Sequence, residues 1–187
     1  DLIEKGMLKD ERFSKDDIRV AKNRCGGTYE LALSGGIRDR DGEMIKSDFV
    51  PTSMHVPTAL LGEEIATDLF GNTCAVNKIA NTDNLFYSSR ARTLFIGEDS
   101  GAHVNNYVWA YNIDTKKLSR ILSVPAGAEA TGLQVVENLN GHAYIMSNAQ
   151  HQGDFIKTMD KVLQIKVAPK IDKFQAPVGY IYGMPGL

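Results

Sequence analysis

No run in this 187-residue sequence approaches the ~18 apolar residues that a membrane-spanning helix needs, and no basic stretch followed by an apolar one marks a secretory leader. The chain begins at Asp1 rather than Met, so the expectation is a mature or trimmed product, and the missing leader leaves the compartment open. An excess of either charge is also lacking: 21 Lys and Arg stand against 23 Asp and Glu, for a net charge of −2. The basic residues are scattered, which argues against a nucleic-acid partner. Cysteine is scarce. Cys25 and Cys74 are the two present and form no CxxC pair, so zinc would need at least two further ligands and is not expected. A single disulfide and two buried thiols are equally open readings, since spacing alone does not bring two Cα atoms within ~7 Å. What the chain does have, 43% hydrophobic and 24% charged residues, is enough to bury a core as one globular domain.

Along the chain the character changes near Cys25. Residues 1–24 are densely charged with irregular apolar spacing, consistent with a surface helix or an extended arm. From there the rhythm is β. "GTYELALS" alternates with Tyr29, Leu31 and Leu33 on one side, and Asp41-Gly42 supplies a turn. Residues 57–70, with Pro57 at the start and Gly71 just past the end, predict a helix. After Ala80, strands are predicted at 84–88, 92–97, 106–112, 117–122, 132–137, 142–147, 161–167 and 177–182, with "NIDTKK" and "ENLNGH" as turns. Two successive groups of four short antiparallel strands, repeating every ~40–50 residues, form the pattern of β-propeller blades; a β-sandwich is the alternative. The reading is an all-β chain forming one partial propeller over 1–187. It comprises an arm at 1–24, a partial blade with a short helix at 25–79, and blades at 80–130 and 131–187. A propeller closes with ~4–8 blades, so further blades or self-association are expected to complete it.

The candidate chemistry lies at strand ends. Glu98 and Asp99 follow the strand-like "TLFIG", Asp83 precedes the strand before it, and Glu129 in "PAGAEATG" falls in the corresponding position one repeat later. Acids that recur at strand ends facing an axial cleft suit calcium, which takes ~6–8 oxygen ligands in irregular geometry; single acids in turns are more often ordinary solvated residues. Neighbouring residues on a strand point oppositely, so Glu98 and Asp99 face different ways.

The series "CGGTYELAL" (25–33), "NTDNLFY" (81–87), "LFIGEDSGAHVNNYVWAYNIDTKKLSRI" (94–121), "PAGAEATG" (125–132), "NGHAYIM" (140–146) and "AQHQGD" (149–154) resembles the C-terminal part of the PhoX-type alkaline phosphatases. The resemblance runs over about residues 25–187. It implies a six-bladed propeller with elaborations, secreted to the periplasm or beyond, that hydrolyses phosphate monoesters with a calcium and iron cluster.

Carried onto this sequence, the resemblance implies that Glu98 is a metal ligand and that Asp83 and Glu129 hold calcium or the cluster, with Asp99 a weaker candidate. His151 would reach the phosphate or orient a carboxylate, and His103 and Asn105 would order the loop after Glu98. Arg90 and Arg92 offer bidentate phosphate contacts, although surface arginines in a turn are more often solvated. The sequence departs from the family at Asn106, where an acid is common, and at Gln152, in place of proline. The family's upstream segment, which supplies a cysteine ligand to iron, has no counterpart, and Cys25 belongs to a different motif. The expectation is therefore a parent phosphatase whose isolated 187-residue part is inactive. A non-catalytic calcium-binding propeller module and a propeller lactonase are the alternatives.

Overall fold

In a computed structural model, which describes residues 23–159, 161–172 and 175–187, the protein is mostly antiparallel β. Residues 1–22 lie outside the described residues, and with them nearly all of the expected charged arm. Among the described residues no helix is long and apolar enough to cross a membrane.

A two-stranded hairpin comes first, β1 (Glu30–Ser34) with β2 (Val50–His55). A four-stranded meander follows: β3 (Thr82–Ser88), β4 (Thr93–Glu98), β5 (Asn105–Asn112) and β6 (Leu118–Ala126), paired in that order. This matches the first expected blade strand for strand. The β5–β6 turn closes on Asn112, whose Oδ1 accepts from the Asp114 and Thr115 N–H groups, with Lys116 at φ 59°.

The second group differs from expectation. It has three strands, β7 (Glu129–Leu139), β8 (His142–Gln150) and β9 (Val178–Pro185). Asn140-Gly141, both at positive φ, form the tight β7–β8 turn that "ENLNGH" predicts. The predicted strand at 161–167 is instead α1 (Lys161–Val167). Its "KVLQIKV" is rich in β-branched residues, but Val162 and Ile165, like Leu163 and Val167, recur at helical spacing, and none of its residues is buried against a sheet.

The predicted helix at 57–70 is corrected as well. Only Thr58–Leu60 forms a single 3-10 turn, and the chain then runs irregularly to Asn81. Tertiary ties override the local signal. Cys74 is joined to Cys25 by a disulfide with Cα atoms 5.9 Å apart, so of the two open readings the disulfide is the one found. Gly62 lies so close to the Cys25 and Ile79 backbones that any side chain there would collide with them. Leu69 and Phe70, which a helix would turn inward, are exposed. Strand β2 answers to no predicted strand.

The β3–β6 sheet is covered on both faces, and the alternation along β5 divides its side chains between them. Val108 and Ala110 face β7 and β8, where Phe95, Val124, Ala130, Leu133 and Ile145 complete one core cluster. Tyr107, Trp109 and Tyr111 face the 57–80 segment and pack with Leu60, Ile79 and Ile96. The two sheets approach most closely at Gly97, where a Cβ would run into the Ala130 carbonyl oxygen. That closeness brings the start of β3, the end of β4 and the start of β7 together.

Candidate functional site

Strand β4 ends in two acids that lie in opposite environments. Glu98 is fully buried on the Trp109 side of the sheet. Its Oε1 accepts the Ala80 N–H at 2.9 Å and the Trp109 Nε1–H at 2.7 Å. Its Oε2 accepts the Tyr107 N–H at 3.0 Å and faces Nδ1 of His103 at 3.0 Å. A carboxylate offers about four acceptor positions, so these four partners use them all. The other ring nitrogen of buried His103 faces the Ala75 carbonyl oxygen at 3.3 Å. Both neighbours are acceptors, so a ring N–H at either nitrogen has a partner and the imidazole is held between Glu98 and Ala75. The expected metal ligand is thus a carboxylate already saturated by protein donors.

Asp99, one residue on, is exposed. Thr82 pairs with Glu98 across β3 and β4, which puts the following residues, Asp83 and Asp99, at one end of the sheet. Together with Gly26, Gly27, Tyr29 and Asn81 they line a shallow depression of about 350 Å³. Glu129, opening β7, approaches the same place. Its carboxyl is raised above the usual range, by burial first, then by the charge of Asp99 and a side-chain hydrogen bond with it, and by the charge of Asp83; His151 opposes the shift. Asp99, Asp83 and Glu129 thus share a neighbourhood, and Glu98 faces the other way.

His151 sits after β8 at φ 54° and is exposed. The Gln150 amide donates to its Nε2 at 2.7 Å, and Nδ1 lies 3.9 Å from Asp154. Asn105 donates to the Val124 carbonyl oxygen. Asn106 is fully buried: it accepts the Ser100 N–H and donates to the Ser100 and Ala128 carbonyl oxygens, so it fastens the 99–104 loop to the start of β7. Arg92 forms a bidentate pair with Asp114 in the exposed turns at the far end of the sheet and is not near the acids. Arg90 is exposed at the same end.

The donors can be weighed against the metals that the resemblance implies. Three neighbouring carboxylates are the oxygen donors that calcium takes. For iron, both cysteines are consumed in the disulfide and both nitrogens of His103 face protein acceptors, so none of these three supplies a ligand. Among the described residues no group of three or more His, Cys, Asp or Glu is arranged to hold a metal ion, so the acids are neighbours rather than a preassembled cage.

Sequence reading missed the partners that saturate Glu98. Their signal was present: Tyr107 and Trp109 lie two apart on a strand, on the face that Glu98 shares. Comparison with protein families, curated proteins and solved structures returns no match for this chain.

Proposed function

We propose that the chain is part of a metal-dependent phosphomonoesterase of the PhoX type and contributes a calcium-binding acidic face, formed by Asp83, Asp99 and Glu129, to a larger site. The observation that carries the reading is that three acids meet at one end of the sheet, Asp83 and Asp99 on one depression with Glu129 beside them, its carboxyl raised by burial first and then by the charges of Asp99 and Asp83. When bound, calcium would neutralise charge on a phosphate ester and hold it in place. His151, at the rim, would orient one of the acids. Iron in the complete site would draw its ligands from elsewhere.

Two further features support a larger assembly. The hairpin β1–β2 exposes Tyr29, Leu31, Leu33 and Met54, and the edge strand β9 exposes Val178, Tyr180 and Tyr182. Apolar faces and open strand edges of this kind call for cover, here by further propeller blades or by a second copy of the chain. The disulfide suits an oxidising compartment, in keeping with a periplasmic or extracellular location.

A second reading, a calcium-binding module with no turnover, is favoured by one observation: Glu98, the acid on which the phosphatase resemblance leans most, has no acceptor position left for a metal. Hydrolysis of p-nitrophenyl phosphate and of a lactone, each with and without calcium, separates the readings when assayed on this chain and on a longer polypeptide containing it. Calcium-dependent phosphate release by the longer form alone supports the proposal. Lactone turnover, or calcium binding without hydrolysis by either form, rejects it in favour of the corresponding alternative.

A further inference from the structure

Six residues along β5 from Asn105, ~20 Å from the acidic end at the strand's rise per residue, lies a second and chemically different cleft. Its volume is about 600 Å³, and it runs between the end of β2, the 57–59 turn, Lys78 and the β5–β6 hairpin. Its lining is mostly carbon, contributed in part by Pro57 and Ala59. The charged groups around it are two ammoniums, Lys78 and Lys116, with Glu30 as the single lining carboxylate, and the His55 imidazole lies beside them. Lys78 is partly committed, with Glu63 at 3.6 Å.

One wall carries Tyr111, which is 2% exposed. Its hydroxyl is buried and is the one side-chain polar atom among the described buried residues that has no hydrogen-bond partner. Tyrosines with buried hydroxyls ordinarily find a partner, and an orphan in a native core calls for a water or a ligand.

We propose that this cleft binds a small organic anion with an apolar body. The acid group lies among Lys116, Lys78 and His55 and accepts the Tyr111 hydroxyl proton in a charge-assisted hydrogen bond, while the body covers Pro57 and Ala59. The inference is independent of the calcium reading, since it uses none of the same residues and the opposite end of the strand.

The test uses the 187-residue chain, with backbone amide shifts followed by nuclear magnetic resonance as benzoate, phenyl phosphate and benzylamine are added separately. Saturable changes at Tyr111, Ala59 and His55 with benzoate, absent with benzylamine, are expected; phenyl phosphate shows whether a phosphate is taken as well as a carboxylate. Tyr111→Phe should weaken benzoate about tenfold while leaving the ligand-free unfolding midpoint unchanged or higher, because no protein hydrogen bond is lost. Lys116→Gln, on the exposed hairpin turn, should weaken benzoate comparably without touching the core. Equal response to benzylamine, or no response to either anion, overturns the proposal. So does a Tyr111→Phe chain that is destabilised yet binds benzoate as before, which would assign the hydroxyl to a structural water.

Discussion

The indole Nε1–H of Trp109 donates to Oε1 of Glu98 at 2.7 Å, and both side chains are buried. This contact ties the centre of β5 to the end of β4 and makes Glu98 a structural centre. Glu98→Gln replaces one acceptor oxygen by a donor in a pocket of donors, so the two buried donors on that oxygen lose their acceptor. Its expected cost is about 2–6 kcal/mol, at about 1–3 kcal/mol for each buried donor left unpaired. Trp109→Phe, which removes one donor, should cost less, about 1–3 kcal/mol. Urea unfolding followed by circular dichroism checks both; a Glu98→Gln chain as stable as the parent would show that the carboxylate is not held as described.

Gly97 abuts the Ala130 carbonyl oxygen. Both belong to backbone fixed by sheet pairing, so neither can yield cheaply. Gly97→Ala should therefore cost at least the upper end of the ~1–3 kcal/mol range for overpacking. It should also loosen β7 against β4, visible as faster amide exchange at Ala130.

The Cys25–Cys74 disulfide closes a loop of 49 residues' separation. On the chain-entropy account, removing such a cross-link costs about 4 kcal/mol. Since both cysteines are buried, the native chain should show no reaction with a thiol reagent. A Cys25→Ser, Cys74→Ser chain should unfold at markedly lower urea than the oxidised parent; coincident transitions would contradict the assignment.

The acids predict opposite responses to pH. Asp68, where burial would raise the carboxyl but hydrogen bonds from Asn72, Phe70 and Gly71 outweigh it, is held below the usual range. Asp114 is held low by its hydrogen bond to Arg92. Both contribute stability that is present above their unfolded values and lost as pH falls through their lower folded ones. The raised Glu129 carboxyl does the reverse: its contribution is complete below its ordinary value of 4.5 and is lost as pH rises through the folded value. Without metal, Glu129→Gln should then be more stable than the parent at pH 7, with the difference disappearing toward pH 4. Equal stabilities at pH 7 would remove the repulsion on which the site rests.

What was legible in the sequence follows the reach of its signals. The meander β3–β6 was readable because period-two alternation and the turn chemistry at Asn112 are local. The 57–70 segment was not, because its path is dictated by Cys74 reaching Cys25 and by the tight passage at Gly62, which join residues far apart in sequence. At 161–167 the β-branched residues suggested a strand, whereas their spacing is helical and the segment buries nothing. The acids were found, but not which of them lie together. Alternation told that Glu98 and Asp99 face opposite ways, and only the packing of Trp109, Tyr107 and His103 tells which of the two faces inward.

Calcium titration of the 187-residue chain, by calorimetry and by the shift of its unfolding midpoint, tests the acidic face most directly. Asp99→Asn and Glu129→Gln are titrated alongside. Binding to the folded state alone should raise the midpoint of the parent chain. Removing one ligand charge should weaken calcium about tenfold or more in either variant while leaving each folded. A parent chain whose midpoint is unmoved at millimolar calcium, or a calcium response that survives both substitutions unchanged, would contradict the assignment of Asp83, Asp99 and Glu129 as the site.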